Sequence, residues 1–236
     1  MVKMNKETFI NYLNDNNINY NEDIINKLDI YLNFLMEYNT HTNLTALKTK
    51  EDIYLKHFID SILFIKYIDI KDNQNILDIG TGAGFPGIIL KIFKPSINLT
   101  VLDSNNKKTT FIKELTNKLN IDVEIINDRA ENYIINKREY FDIVTSRAVS
   151  NLNTLSELSI PFVKINGYFL PMKGDVEEEL SKSTNAIKVL GGNIEKVIDY
   201  KLPIEESKRS IVVIKKIKSS DSIYPRNYDK IIKKPL

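Results

Sequence analysis

Residues 75–87 read Asn75-Ile-Leu-Asp-Ile-Gly-Thr-Gly-Ala-Gly-Phe-Pro-Gly87. An apolar run (Ile76, Leu77, Ile79) ends in glycines at 80, 82, 84 and 87, and a further apolar stretch follows them. The run is short enough for a buried strand, and the glycines permit positive φ and close approach of a ligand to the backbone. Free N–H groups at the start of the next helix add an electropositive floor. In a parallel α/β sheet such a loop lies at the carboxyl ends of the strands, where ligands bind.

The same alternation extends outward from this loop. Short apolar runs at Asn75–Ile79, Asn98–Leu102, Val123–Ile126, Phe141–Ser146, Gly167–Met172 and Ser210–Lys216 are read as strands. Between them Gly87–Phe93, Lys107–Leu119, Thr154–Val163 and Val176–Leu190 are read as helices. Strand–helix alternation predicts a largely parallel sheet with helices on both faces. Glu195–Leu202 and Ser210–Lys216 have no helix between them and are expected to close the sheet as an antiparallel hairpin. Upstream, Ile24, Leu28, Tyr31, Leu32 and Leu35 recur at helical spacing, as do Ile53, Phe58, Ile62 and Ile65, with Thr49 as an N-cap. The polar residues Tyr38–Asn43 read as a break between the two helices. The organisation expected is one unit: a helical extension over 1–70, a Rossmann-like core over 71–218 and a basic tail over 219–236.

Composition excludes several chemistries. There is no cysteine, hence no thiolate metal site and no catalytic thiol, and the two histidines cannot make a histidine-rich zinc site. The chain starts without the apolar core of a signal peptide and has no membrane-length apolar run, so a cytoplasmic protein is expected. The net charge is +2, but residues 201–236 hold ten Lys/Arg against four acids while residues 1–60 hold six Lys against nine acids. A basic end suits a polyanionic partner.

Two carboxylates refine the reading of the glycine loop. Asp78 lies two residues before Gly80, where it would repel a nucleotide phosphate and suit an ammonium or sulfonium group. Asp103 ends the second strand, at the spacing of a carboxylate that accepts hydrogen bonds from both ribose hydroxyls. This ordered set resembles the S-adenosylmethionine-binding methyltransferases. A nicotinamide- or flavin-binding fold would lack the first acid. In such methyltransferase folds the polar turn after the third strand sits beside the adenine. Ala130 N–H and the Glu131 carboxylate are therefore expected to read its edge, although the turn by itself is generic.

Three further segments narrow the resemblance: Asn43-Leu-Thr45 with Lys56-His-Phe-Ile-Asp-Ser61, then Thr145-Ser-Arg-Ala-Val149, then Lys173-Gly174. With Asp78–Gly87, Asp128–Glu131 and Tyr224-Pro-Arg226, they resemble the RsmG (GidB) family of bacterial 16S ribosomal RNA methyltransferases. The resemblance implies a class I methyltransferase fold, S-adenosylmethionine as cofactor, and methyl transfer to N7 of one guanosine of 16S ribosomal RNA. The partner implied is that RNA, within the 30S subunit or an assembly intermediate, met by a monomeric enzyme. By the family pattern Gly80, Phe85, Ala130, Glu131 and Arg147 bind the cofactor; Asp78, Gly82 and Asp103 join them on the physical argument. Arg147, Lys173 and His57 are the residues expected beside the acceptor. No metal is expected. The tail departs from the family, because residues of Asp229-Lys-Ile-Ile232 replace a glycine and a proline. Small-molecule methylation, nicotinamide-dependent redox chemistry and non-catalytic RNA binding are the competing readings.

Overall fold

A computed structural model describes residues 3–147 and 149–236; Ala148, the last residue of the Ser-Arg-Ala triplet, lies outside them. Helices α1 (Lys6–Asp15), α2 (Glu22–Thr42), α3 (Lys50–Ile53) and α4 (Asp60–Tyr67) precede a seven-stranded sheet. Its strands are β1 (Asn75–Ile79), β2 (Asn98–Leu102), β3 (Glu124–Ile126), β4 (Phe141–Arg147), β5 (Val163–Lys173), β6 (Gly192–Lys201) and β7 (Lys208–Lys216). Helices α5 (Gly87–Phe93), α6 (Asn106–Leu119), α7 (Ala130–Tyr133), α8 (Leu152–Ser159) and α9 (Glu177–Val189) connect them, and α10 (Tyr228–Lys233) lies in the tail. The strand order is β3-β2-β1-β4-β5-β7-β6, parallel from β3 to β5, with β7 antiparallel to both its neighbours. This is the expected Rossmann-like methyltransferase sheet closed by a hairpin.

Successive strand residues face opposite sides of a sheet, and the two cores divide accordingly. Ile76, Val101, Ile143 and Leu170 pack with the N-terminal helices, α5 and α6. Leu77, Leu102, Val144 and Phe169 pack under α8 and α9 together with Ile231 of the tail. The N-terminal layer therefore shares its core with one face of the sheet, and the tail covers part of the other. Among the described residues no helix is long and apolar enough to cross a membrane.

Three local expectations need correction. Tyr38–Asn43 is no break: α2 continues to Thr42 and ends at Asn43, whose left-handed φ of 51° serves as the C-cap. The inward residue of that stretch is Asn39, whose amide bonds Thr45 through both its nitrogen and its oxygen, so its polarity is satisfied inside the fold. The stretch 50–65 is not one regular α-helix, because a π-helical segment, Tyr54–Ile59, interrupts it. The wider turn puts Tyr54, Leu55, Phe58 and Ile59 all into the core. The helix expected to reach Val163 ends at Ser159 with a 3-10 turn, since Pro161 lacks the N–H that would continue the ladder.

Candidate cofactor cleft and acceptor rim

The glycine loop is held from both sides. Gly80, Gly82 and Gly84 all adopt positive φ. Gly80 N–H donates to Leu102 O at 2.7 Å, and Gly82 N–H donates to the Asp103 carboxylate at 3.0 Å. A side chain on Gly84 would strike the Tyr31 hydroxyl and Ile88, each at 2.7 Å, so this glycine lets α2 close on the loop. A Cβ on Gly82 would meet nothing nearer than 3.9 Å and points into open space.

Asp78 is fully buried under the loop. One of its oxygens accepts from Thr81 Oγ1 at 2.7 Å and from Gly87 N–H at 2.9 Å, while Oδ1 has no hydrogen-bond partner. Burial pushes its pKa up to about 6, against the pull of those two hydrogen bonds. A buried carboxylate oxygen without a partner is costly, and it leaves one acceptor uncommitted beside the loop.

Between the loop and α7 opens a cleft of about 360 Å³. Gly80, Asp103, Ala130 and Glu131 line it, together with Lys108, Val149, Leu158 and Tyr228. Asp103 is buried and accepts from Asn105 N–H at 2.9 Å as well as from Gly82. Lys108 Nζ stands 3.6 Å from the same carboxylate, which gives this lysine a place in the cleft, whereas Lys107 is exposed. Glu131 is half-buried, with Arg129 3.5 Å from its carboxylate. The donor and acceptor set fits S-adenosylmethionine: carboxylates for the ribose hydroxyls and the cationic end, backbone N–H groups at the loop and at α7, and small residues where a backbone must be approached.

Arg147 ends β4 and turns away from the cleft toward the N-terminal layer. Its NH1 donates to Lys56 O at 2.8 Å and to Asp60 Oδ2 at 3.0 Å, and its NH2 reaches His57 Nδ1 at 2.7 Å. Because Nδ1 faces a guanidinium, which only donates, the ring carries its proton on Nε2 and gives it to Thr45 Oγ1 at 2.9 Å. Desolvation, then the Arg147 charge, holds the His57 pKa well below its usual value, so the ring is neutral. Asp60 is buried and also accepts from the Tyr200 hydroxyl at 2.9 Å, tying in β6.

Phe85 is buried rather than presented to the cleft. Tyr31 stacks on it at 5.0 Å and His57 at 4.3 Å, with the Arg147 guanidinium 5.2 Å from its ring. Its side chain locks the glycine loop to the helical layer, leaving its backbone as the part available to a ligand. Lys173 ends β5, donates to Ser150 O and pairs with Glu179 at 2.7 Å; Glu179 in turn accepts from Leu152 N–H at 2.7 Å. This lysine thus fixes the segment after β4. Val149 on that segment lies over Gly80, where a Cβ would come within 2.5 Å of its methyl group.

The structure therefore brings Gly80, Asp103, Ala130 and Glu131 together in one cleft, with Gly82 in the adjoining loop and Asp78 at the end of β1, buried beneath that loop. Arg147, His57, Asp60 and Phe85 form a second cluster behind that loop, with Lys173 across the β4–β5 edge. Sequence reasoning missed Val149, Leu158 and Tyr228 as cleft residues. For Val149 a signal existed, since it follows the Arg147 motif directly; for Tyr228 the nearest was the Tyr-Pro-Arg226 motif two residues earlier.

Residues 24–217 match the profile of a family described as rRNA small subunit methyltransferase G (GidB). A ribosomal RNA small subunit methyltransferase G of Oceanobacillus iheyensis is 44% identical over 237 residues, covering 99% of this chain and 100% of that protein. The protein of the same name from Clostridium kluyveri is 47% identical over 227 residues, 94% of each. Among solved structures, a SAM-dependent methyltransferase from Aquifex aeolicus superposes with a TM-score of 0.54 at 19% identity, covering 69% of this chain and 92% of that one. At that identity the likeness is one of fold.

Proposed function

Because the chain belongs to the rRNA small subunit methyltransferase G family, we propose that its cleft and rim divide the work of one reaction between binding and alignment. The enzyme is an S-adenosylmethionine-dependent methyltransferase that modifies guanine N7 in 16S ribosomal RNA. When bound, S-adenosylmethionine supplies an electrophilic methyl group on a sulfonium. Asp103 accepts from the ribose hydroxyls, Ala130 N–H and Glu131 meet the adenine edge, and the Gly80–Gly84 backbone with Asp78 receives the amino-acid end. The observation that carries this reading is the convergence of Gly80, Asp103, Ala130 and Glu131 on a single cleft at the carboxyl edge of the sheet.

Guanine N7 offers an in-plane lone pair and has no proton to lose, so the chemistry asks for position rather than a base. The neutral His57 accords with that: its Nδ1 is taken by Arg147 and its Nε2 by Thr45. We assign Arg147, His57 and Lys173 to positioning. Arg147 and His57 lock the N-terminal layer to the end of β4, and Lys173 fixes Ser150 and thereby the segment over Gly80. Bringing the methyl and N7 to near-attack distance supplies several kcal/mol on general grounds.

The substrate proposed is folded RNA in the 30S subunit or an assembly intermediate, met in the cytoplasm where subunits form. Lysines are exposed on the described residues, and we assign selection of one guanosine to the shape in which the RNA presents it. Initial rates of methyl transfer should be at least 10-fold higher on unmethylated 30S particles, or on immature ones, than on deproteinised 16S RNA. Equal rates would refute the particle as substrate while leaving the RNA assignment in place. A monomer is proposed, with a light-scattering mass near 27.3 kDa; a mass twice that would contradict it.

A further inference from the structure

The tail after β7 lies outside the residues that match the family profile, yet it is clamped to the core. Arg226 grips Glu157 of α8 with three donors: its backbone N–H at 2.9 Å, Nε at 2.8 Å and NH2 at 2.6 Å. The Glu157 side chain is 1% exposed, so this is a buried, bidentate ion pair. Arg138 donates to the carbonyls of Ser222 and Tyr224 just before the clamp, and Ile231 is fully buried just after it. The Asn227 side chain caps α10.

These anchors deliver one residue of the tail to the cleft, Tyr228. Its half-buried side chain lines the cleft together with Asp103, Asp128, Arg129, Ala130 and Leu158 of α8. The Arg129 guanidinium sits 5.5 Å from the ring centre, a cation–π contact that limits the ring's freedom. No other aromatic side chain lines the cleft among the described residues.

We propose that Tyr228 is a positioning residue for the adenine of S-adenosylmethionine, an aromatic wall that the C-terminal tail adds to the site. With the ribose at Asp103 and the amino-acid end at the glycine loop, the purine has to lie toward Ala130, Glu131 and Tyr228. An aromatic ring is complementary to the π-face of a purine whatever its edge contacts. The proposal rests on the cleft being the cofactor site.

The test is calorimetric titration of the full chain with S-adenosylmethionine and S-adenosylhomocysteine. Tyr228→Ala should weaken both about 10-fold and Tyr228→Phe should bind like the parent, because the ring is needed and the hydroxyl is not. In turnover, Tyr228→Ala should raise KM for S-adenosylmethionine while kcat at saturating cofactor and KM for RNA stay within about twofold. The chain has no tryptophan, so Tyr228→Trp provides a single tryptophan whose fluorescence, excited at the red edge where tyrosine does not absorb, should change with ligand and saturate at the calorimetric Kd. It also decides the matter should the alanine variant fail to fold. Unchanged affinity in Tyr228→Ala, or silent emission in Tyr228→Trp while that variant binds ligand, overturns the proposal. A parent chain that binds neither ligand removes the cofactor reading itself, a separate result.

Discussion

Replacing Arg147 by alanine is expected to lower methyl transfer at least 100-fold and to destabilise the fold by about 3–5 kcal/mol, as breaking one side of a buried ion pair does. The reason is visible in what the guanidinium leaves behind. Asp60 is buried and would keep only the Tyr200 hydroxyl, with Arg209 Nε at 3.7 Å. His57 Nδ1 and the Lys56 carbonyl would lose their donor at the same time. The π-helical segment that carries Lys56 and His57 would no longer be tied to the end of β4. Arg147→Lys should rescue poorly, because one ammonium on a flexible stem cannot reproduce a planar fork that serves two acceptors from NH1 and a third from NH2. Urea unfolding and single-turnover transfer, measured side by side, check both effects. The double variant Arg147→Ala, Asp60→Asn removes the unpaired charge and should recover much of the stability without recovering transfer. Full transfer by Arg147→Ala at sub-saturating cofactor would remove Arg147 from the positioning role.

Asp78→Asn is expected to have effects of opposite sign on stability and on binding. The buried carboxyl has a folded pKa of about 6 against an ordinary value of 3.8. Between those values the folded state holds a proton that the unfolded state has released, so the contribution of Asp78 to stability falls as pH rises from 3.8 through 6. Above pH 6 the folded state carries the full burden of a buried charge, about 3 kcal/mol for two pKa units. The asparagine amide oxygen can still accept from Thr81 and Gly87, and the group never ionises. The variant should therefore match the parent in stability near pH 4 and exceed it by up to about 3 kcal/mol at pH 8. His57, whose pKa is depressed, costs stability as pH falls below about 6.5, but equally in both proteins, so the comparison is made between variants at each pH. At pH 8, where the parent's Asp78 is ionised, the variant should bind S-adenosylmethionine at least 10-fold more weakly, since the cationic end of the ligand loses a carboxylate. A variant less stable at pH 8, or one of unchanged affinity, would contradict this reading of the orphaned Oδ1.

Much of the architecture was legible because it is written in local pattern. The β1 run and its glycines announce a strand meeting a ligand loop, and the acids at 78 and 103 are placed by their distance from Gly80 alone. What escaped depends on the third dimension. A π-helical turn inserts one residue, and Tyr54–Ile59 keeps an apolar pattern that passes for a regular helix. Tyr38–Asn43 is polar enough to look like a loop, because composition does not reveal that Asn39 finds its partners at Thr45 and Leu47. The groups that Arg147 and Lys173 hold were not legible either. Their partners, Lys56, His57, Asp60 and Ser150, are fixed by tertiary packing and have no signature in the spacing. Tyr228 reaches the cleft through tail anchors such as the Arg226–Glu157 clamp, a contact between residues 69 positions apart.

The most direct test of the central claim is to incubate the chain with methyl-labelled S-adenosylmethionine and 30S subunits from cells whose 16S RNA lacks N7 methylation, then to map the label by nuclease digestion and chemical cleavage at 7-methylguanosine. The account predicts about one label per particle, at N7 of a single 16S guanosine, and none on subunits already modified there. Label on another atom or on ribosomal protein, or no transfer from a chain that binds S-adenosylmethionine tightly, would contradict it.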